Sequence, residues 1–130
     1  MVVLGHILNL YKIMTKDIYT INAEGKKLGR IASEAAKVLM GKNTVNYAPN
    51  KEGDTFVVIE NAGKIFLTEK KKKEKIYRAH SQYPGGLTEE AMGRLIERRG
   101  IEEAIKKAVD GMLPKNKLRT PRMKRLTVKK

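Results

Sequence analysis

The chain has 130 residues, no cysteine, and 28 Lys+Arg against 14 Asp+Glu, a formal net charge of +14. One domain with one hydrophobic core is the default at this length. The lack of cysteine excludes a disulfide scaffold, thiolate catalysis and Cys-ligated zinc, and fits a reducing compartment. The charge asks for a polyanionic partner, nucleic acid or an anionic membrane.

Residues 1–13 (MVVLGHILNLYKI) are apolar with one interior lysine. The run is too short to span a bilayer, which takes about 20 residues, and lacks the features of a secretory signal. Met14 precedes the polar Thr15-Lys16-Asp17. Residues 1–13 are therefore read as an upstream start or a terminal extension, and 14–130 as the domain.

Ile18–Asn22 has the β-branched and aromatic composition of a short strand. Leu28, Ile31, Ala32, Ala35 and Leu39 recur at helical spacing, and Gly41 is a C-terminal stop. Thr55–Ile59 is a continuous apolar run, the pattern of a strand buried on both faces. Strand, amphipathic helix and buried strand make a βαβ unit. Lys64–Thr68 has strand composition or is irregular, Ile76–Ser81 reads as another strand, and Tyr83-Pro84-Gly85-Gly86 as a turn. A helix is expected from Thr88, with Glu89 and Glu90 in its first turn and Gly100 at its end. Ile101, Ala104, Ile105, Ala108, Val109 and Met112 predict a further helix, stopped by Pro114, and Leu126–Val128 a last short strand.

The charge is concentrated. Glu69–His80 carries six bases and two acids, and Gly111–Lys130 carries eight bases and no acid. The other 98 residues hold 14 bases and 12 acids. A nearly neutral body with two basic segments is the pattern of a domain presenting defined surfaces to a polyanion. A membrane-surface helix needs an apolar face opposite its charges. The block Lys70–Lys73 and the two prolines within 114–125 do not read as such a helix, so nucleic acid is favoured.

Catalytic chemistry finds no support. His6 and His80 cannot build a structural zinc site without cysteine, and His80 beside Ser81 is not a nucleophile–base pair. Gly25 and Gly29 do not make a dinucleotide fingerprint, and Gly41-Lys42 fails the P-loop pattern at positions 36 and 43. No catalytic residue, cofactor or metal is assigned.

Three stretches then carry a resemblance. They are Asn22-Ala23-Glu24-Gly25-Lys26-Lys27-Leu28-Gly29-Arg30-Ile31-Ala32-Ser33, His80-Ser81-Gln82-Tyr83-Pro84-Gly85-Gly86-Leu87, and Val109-Asp110-Gly111-Met112-Leu113-Pro114-Lys115-Asn116. Asn61-Ala62 with Lys64, and Lys124-Arg125-Leu126 with Val128, support them in the same order. From about Ile18 to Val128 the chain resembles the bacterial-type large-subunit ribosomal protein L-thirteen family, as a trimmed member without the usual longer N-terminal arm and C-terminal tail. The resemblance implies an α/β single domain: a small, mostly parallel four-stranded sheet flanked by helices, with a basic C-terminal segment. It implies a structural constituent of the large ribosomal subunit in the cytoplasm. Such a protein binds large-subunit (23S-type) rRNA beside neighbouring ribosomal proteins and joins the subunit early in assembly, with no catalysis and no cofactor. No membrane partner and no homo-oligomer are expected. The alternative is a free RNA-binding regulator acting on its own messenger. The chain departs from the family at Glu69, where a glycine is common, at Arg78-Ala79 before His80, and at Arg119-Thr120.

The expected RNA contacts act by phosphate neutralisation and counterion release. Arg30 lies at a helix start, where free N–H groups also favour phosphate, or pairs with Glu34. Lys42 touches phosphate or the last helix carbonyls. Lys70, Lys71, Lys72 and Lys73 form a point-charge cluster. Arg78, His80 and Tyr83 combine cation, imidazole and ring, suited to stacking or 2′-hydroxyl contact, with turn packing the alternative for Tyr83. Lys115, Arg119, Arg122, Lys124 and Arg125 form an acid-free group. Replacing the last four with alanine is expected to weaken rRNA binding while leaving the fold intact.

Overall fold

The structure, a computed structural model, describes residues 17–130. The reading of residues 1–13 lies outside the described residues. Strand β1 (Ile18–Asn22) turns at Gly25 into helix α1 (Leu28–Leu39), and β2 (Phe56–Glu60) returns parallel to β1, with Ile18 opposite Phe56 and Asn22 opposite Glu60. The expected βαβ unit is present. Helix α1 buries Leu28, Ile31, Ala32, Ala35 and Leu39 on one stripe against the sheet. Gly41 ends it with φ +81°: its N–H donates to the Val38 carbonyl (2.9 Å) and that of Lys42 to the Lys37 carbonyl (3.2 Å). A Cβ on Gly41 would meet no atom closer than 3.8 Å. Strain alone therefore sets the effect of Gly41→Ala, an expected loss of about 1 kcal/mol in chemical denaturation.

Strand β5 (Leu126–Val128) pairs parallel with the other edge of β2, giving the order β1-β2-β5. The four-stranded expectation is corrected. The parallel sheet has three strands, and β3 (Ile76–His80) and β4 (Leu87–Ala91) form a separate antiparallel pair. Residues 64–68 contribute only a single bridge, Lys27 to Phe66. They follow a left-handed Asn61 (φ +57°) and a 3-10 turn at Ala62–Lys64, which diverts the chain from the sheet. Val57 and Ile59 are fully buried, whereas Phe56 and Val58 on the opposite face are only partly covered. The run expected to be buried on both faces is thus fully buried on one.

Two further corrections concern helices. Thr88–Ala91 is strand, not helix, because Leu87–Ala91 pairs along the whole of β3, with Arg78 opposite Glu89. Helix α3 begins only at Met92 (Met92–Arg99), whose N–H donates to the Lys75 carbonyl (2.8 Å). The lysine block, read as non-helical, is helix α2 (Glu69–Glu74), capped by the Thr68 hydroxyl, which accepts from the Lys71 N–H (3.4 Å). Glu69–Lys72 (2.8 Å) and Lys70–Glu74 (4.0 Å) offset the repulsion among the lysines. The helix has no apolar residue, so it offers nothing to a lipid surface.

Helix α4 (Ile101–Met112) packs Ala104, Ile105 and Val109 into the same core as α1 and ends before Pro114, as expected. Helix α5 (Arg119–Lys124) was not expected from the sequence. Pro121 fits because it is the third helical residue, where the missing N–H has no partner in the helix anyway. No helix among the described residues is long and apolar enough to cross a membrane.

Candidate nucleic-acid interface

The C-terminal segment divides into two kinds of base. Arg122 and Arg125 are 2% and 7% exposed. Arg122 donates from Nη2 to the Lys51 carbonyl (3.0 Å) and from Nε to the Glu52 carbonyl (3.4 Å). Arg125 donates from Nη2 to the carbonyls of Glu52 (2.6 Å) and Leu39 (3.3 Å), and from Nη1 to that of Thr55 (3.3 Å). Its Nε has no hydrogen-bond partner, and the Glu52 carboxylate lies 3.7 Å away. Burial pushes the Arg125 pKa down, with Glu52 opposing. Both side chains therefore face inward, and the expectation that they contact RNA from the surface is corrected. They fasten α5 to the loop that joins α1 to β2. The reason is that this loop leaves carbonyls without backbone donors, and a guanidinium fork can serve several at once.

Lys115 and Lys124 are exposed, as is Lys117, which the sequence reading did not single out; none makes an ion pair among the described residues. Arg119 is half-exposed and pairs with Asp110 (3.4 Å). On α2, Lys71 and Lys73 are exposed and make no ion pair among the described residues, while Lys70 and Lys72 hold the flanking glutamates.

Arg30, the third residue of α1, is exposed and does not pair with Glu34. Glu34 instead accepts from the Tyr19 hydroxyl (3.1 Å), raising the Tyr19 pKa, and lies 3.8 Å from Lys26. Arg30 is left available to an anion. Lys42 is exposed directly after the helix stop.

The β3–β4 hairpin carries the remaining candidates. Arg78 is held by Glu89 across the strands (2.7 Å). His80 and Tyr83 stand at its exposed tip, with Tyr83 74% exposed rather than packed in a turn. At the base of the hairpin, Glu90 accepts from two Arg98 nitrogens (2.9 and 2.7 Å), which holds its carboxyl below the usual range. A carboxylate with a lowered folded pKa stabilises above its unfolded pKa and loses that contribution as pH falls through the folded one. Glu90→Gln is therefore expected to lower the Tm at pH 7, by a difference from the parent that shrinks as the pH falls through the acid range.

An open cleft of about 860 Å³ beside the 41–55 loop is lined by Asp17, Thr44, Tyr47, Glu52, Asp54 and Arg125, among others. Among the described residues that line it there is no histidine. No group of three His, Asp or Glu among the described residues is placed to hold a metal.

Residues 16–129 match the family model described as Ribosomal protein L13. The chain belongs to the ribosomal protein L13 family. It is 46% identical over 115 residues to the large ribosomal subunit protein uL13 of Geobacter sp. (strain M21), covering 88% of this chain and 80% of that protein. It is 49% identical over 110 residues to uL13 of Clostridioides difficile (strain 630), covering 85% and 76%. With uL13 of Thermosipho africanus (strain TCF52B) it shares 50% over 113 residues, 87% and 75%. The L13 resemblance drawn from the three motifs is thus shown. Glu69 opens helix α2, and the acid sits in its first turn, where the dipole favours it.

Proposed function

We propose that this protein is a structural, non-catalytic component of the large ribosomal subunit in the cytoplasm, bound to large-subunit rRNA beside neighbouring ribosomal proteins and joining early in assembly. Family membership supports the role. The observation that carries the RNA-binding mode is the set of exposed bases without an ion pair among the described residues: Lys71 and Lys73 on α2, Lys115 and Lys117 in the loop before α5, and Lys124 at the end of α5. Free ammonium groups displace condensed counterions from phosphates, while bases already held by carboxylates do so at the expense of a protein contact. Arg30 and Lys42 extend the set, and Lys70, Lys72, Arg78 and Arg119 join it by exchanging their carboxylate partners for phosphate. The match over 16–129 supports reading 14–130 as the domain. The reading as a free regulator of its own messenger gains nothing from relatives named for the subunit.

Crosslinking in intact subunits tests the proposal. Crosslinks from these lysines to rRNA are expected. A protein found mainly free in the cell, with no rRNA crosslinks, overturns it.

A further inference from the structure

The hairpin tip differs from the other candidate contacts because it is uncharged. From Ser81 to Thr88 no residue is ionisable except Tyr83. The tip nevertheless carries exposed apolar surface, with Tyr83 74% and Leu87 59% exposed. Phosphate neutralisation cannot be its mode of contact.

The tip is also built to hold one shape. Ser81 N–H donates to the Gly86 carbonyl (3.1 Å) and Gly86 N–H to the Tyr83 carbonyl (2.9 Å). Gln82 is held in the left-handed region at φ +64°, a conformation that disfavours a side chain and persists where its surroundings fix it. The Gln82 N–H donates to His80 Nδ1 (2.8 Å). A Cβ on Gly86 would overlap the Ser81 hydroxyl and lie 2.9 Å from the Tyr83 carbonyl, so only glycine closes this turn. Because Nδ1 accepts from the Gln82 N–H, Nε2 is the nitrogen left to donate. His80 thus offers the exposed tip an oriented donor. No side chain of this loop belongs to the core, so its order does not serve the core.

We propose that the tip binds an unpaired nucleotide of the rRNA, the base stacking on the Tyr83 ring and His80 Nε2–H donating to a ribose or phosphate oxygen. This rests on the RNA-binding reading above and adds a nonionic contact to it. An aromatic ring on a rigid, uncharged turn suits a base π-face, and the protein's overall positive charge brings RNA rather than a second basic protein to it.

The test is binding of the full-length protein to a large-subunit rRNA transcript from 50 to 500 mM salt. Tyr83→Ala is expected to weaken binding roughly ten- to a hundredfold at every salt concentration with an unchanged salt slope. Tyr83→Phe is expected to bind like the parent. His80→Phe, which keeps a ring and removes the donor, is expected to lose a smaller factor, again without a change of slope. All three variants should melt with the parent, since the tip lies outside the core. Chemical probing should show one base protected by the parent and reactive with Tyr83→Ala. Parent-like RNA affinity of Tyr83→Ala overturns the proposal, and if subunit incorporation then fails, the tip contacts a neighbouring protein instead. If the parent itself binds the transcript without salt dependence, the broader RNA-binding reading fails.

Discussion

Replacing Arg125 with alanine is expected to lower stability by about 3–5 kcal/mol, with a fall in Tm of roughly 10 °C or more. The guanidinium serves the carbonyls of Leu39, Glu52 and Thr55 from a position only 7% exposed. Truncation leaves these carbonyls without their donor and empties the space that the guanidinium fills beside Gly53. Each buried unsatisfied polar group costs about 1–3 kcal/mol, and partial entry of water limits the sum. Arg125→Lys is expected to recover less than half of the loss, because one ammonium cannot reproduce a planar fork. Thermal and chemical unfolding followed by circular dichroism measure both variants. A loss below 1 kcal/mol for the alanine variant would mean that the loop satisfies its carbonyls without Arg125. It follows that the joint alanine replacement of Arg119, Arg122, Lys124 and Arg125, expected from sequence to spare the fold, disrupts it.

Replacing Lys115, Lys117 and Lys124 together with alanine is the corresponding test of the surface. The slope of log K against log salt for rRNA binding is expected to become shallower by roughly 2 to 3, with an unchanged melting curve. Exposure, with no ion pair among the described residues, lets these lysines exchange counterions for phosphate. Arg119 is left out because its removal also releases Asp110, which would then repel the RNA. An unchanged slope would remove this segment from the interface. Tyr83 provides the contrast, since its loss is expected to shift affinity and leave the slope alone.

Local pattern was enough where each residue's environment depends on its near neighbours. The stripe from Leu28 to Leu39, the stop at Gly41, the breaks at Gly100 and Pro114, and the short strands at Ile18–Asn22 and Ile76–His80 all appear in the structure. Their periodicity and backbone chemistry are properties of a few consecutive residues. The family was equally legible, because the motifs around Gly25, Tyr83 and Pro114 are contiguous. Thr88–Ala91 was not, because its glutamates suit a helix start by themselves and become strand only through pairing with residues nine to fifteen positions earlier.

The sequence by itself determined the chemistry of the partner. A cysteine-free chain of +14, with its excess in two runs, suits a polyanion however it folds. Only the tertiary structure decided which bases meet that partner. Arg122, Lys124 and Arg125 are nearly adjacent and chemically alike, yet Lys124 reaches water while the two arginines are buried against carbonyls some 70 residues earlier. A charge count cannot see this division. It depends on which side of α5 each residue faces and on the loop from Leu39 to Thr55 presenting carbonyls that its own backbone leaves open.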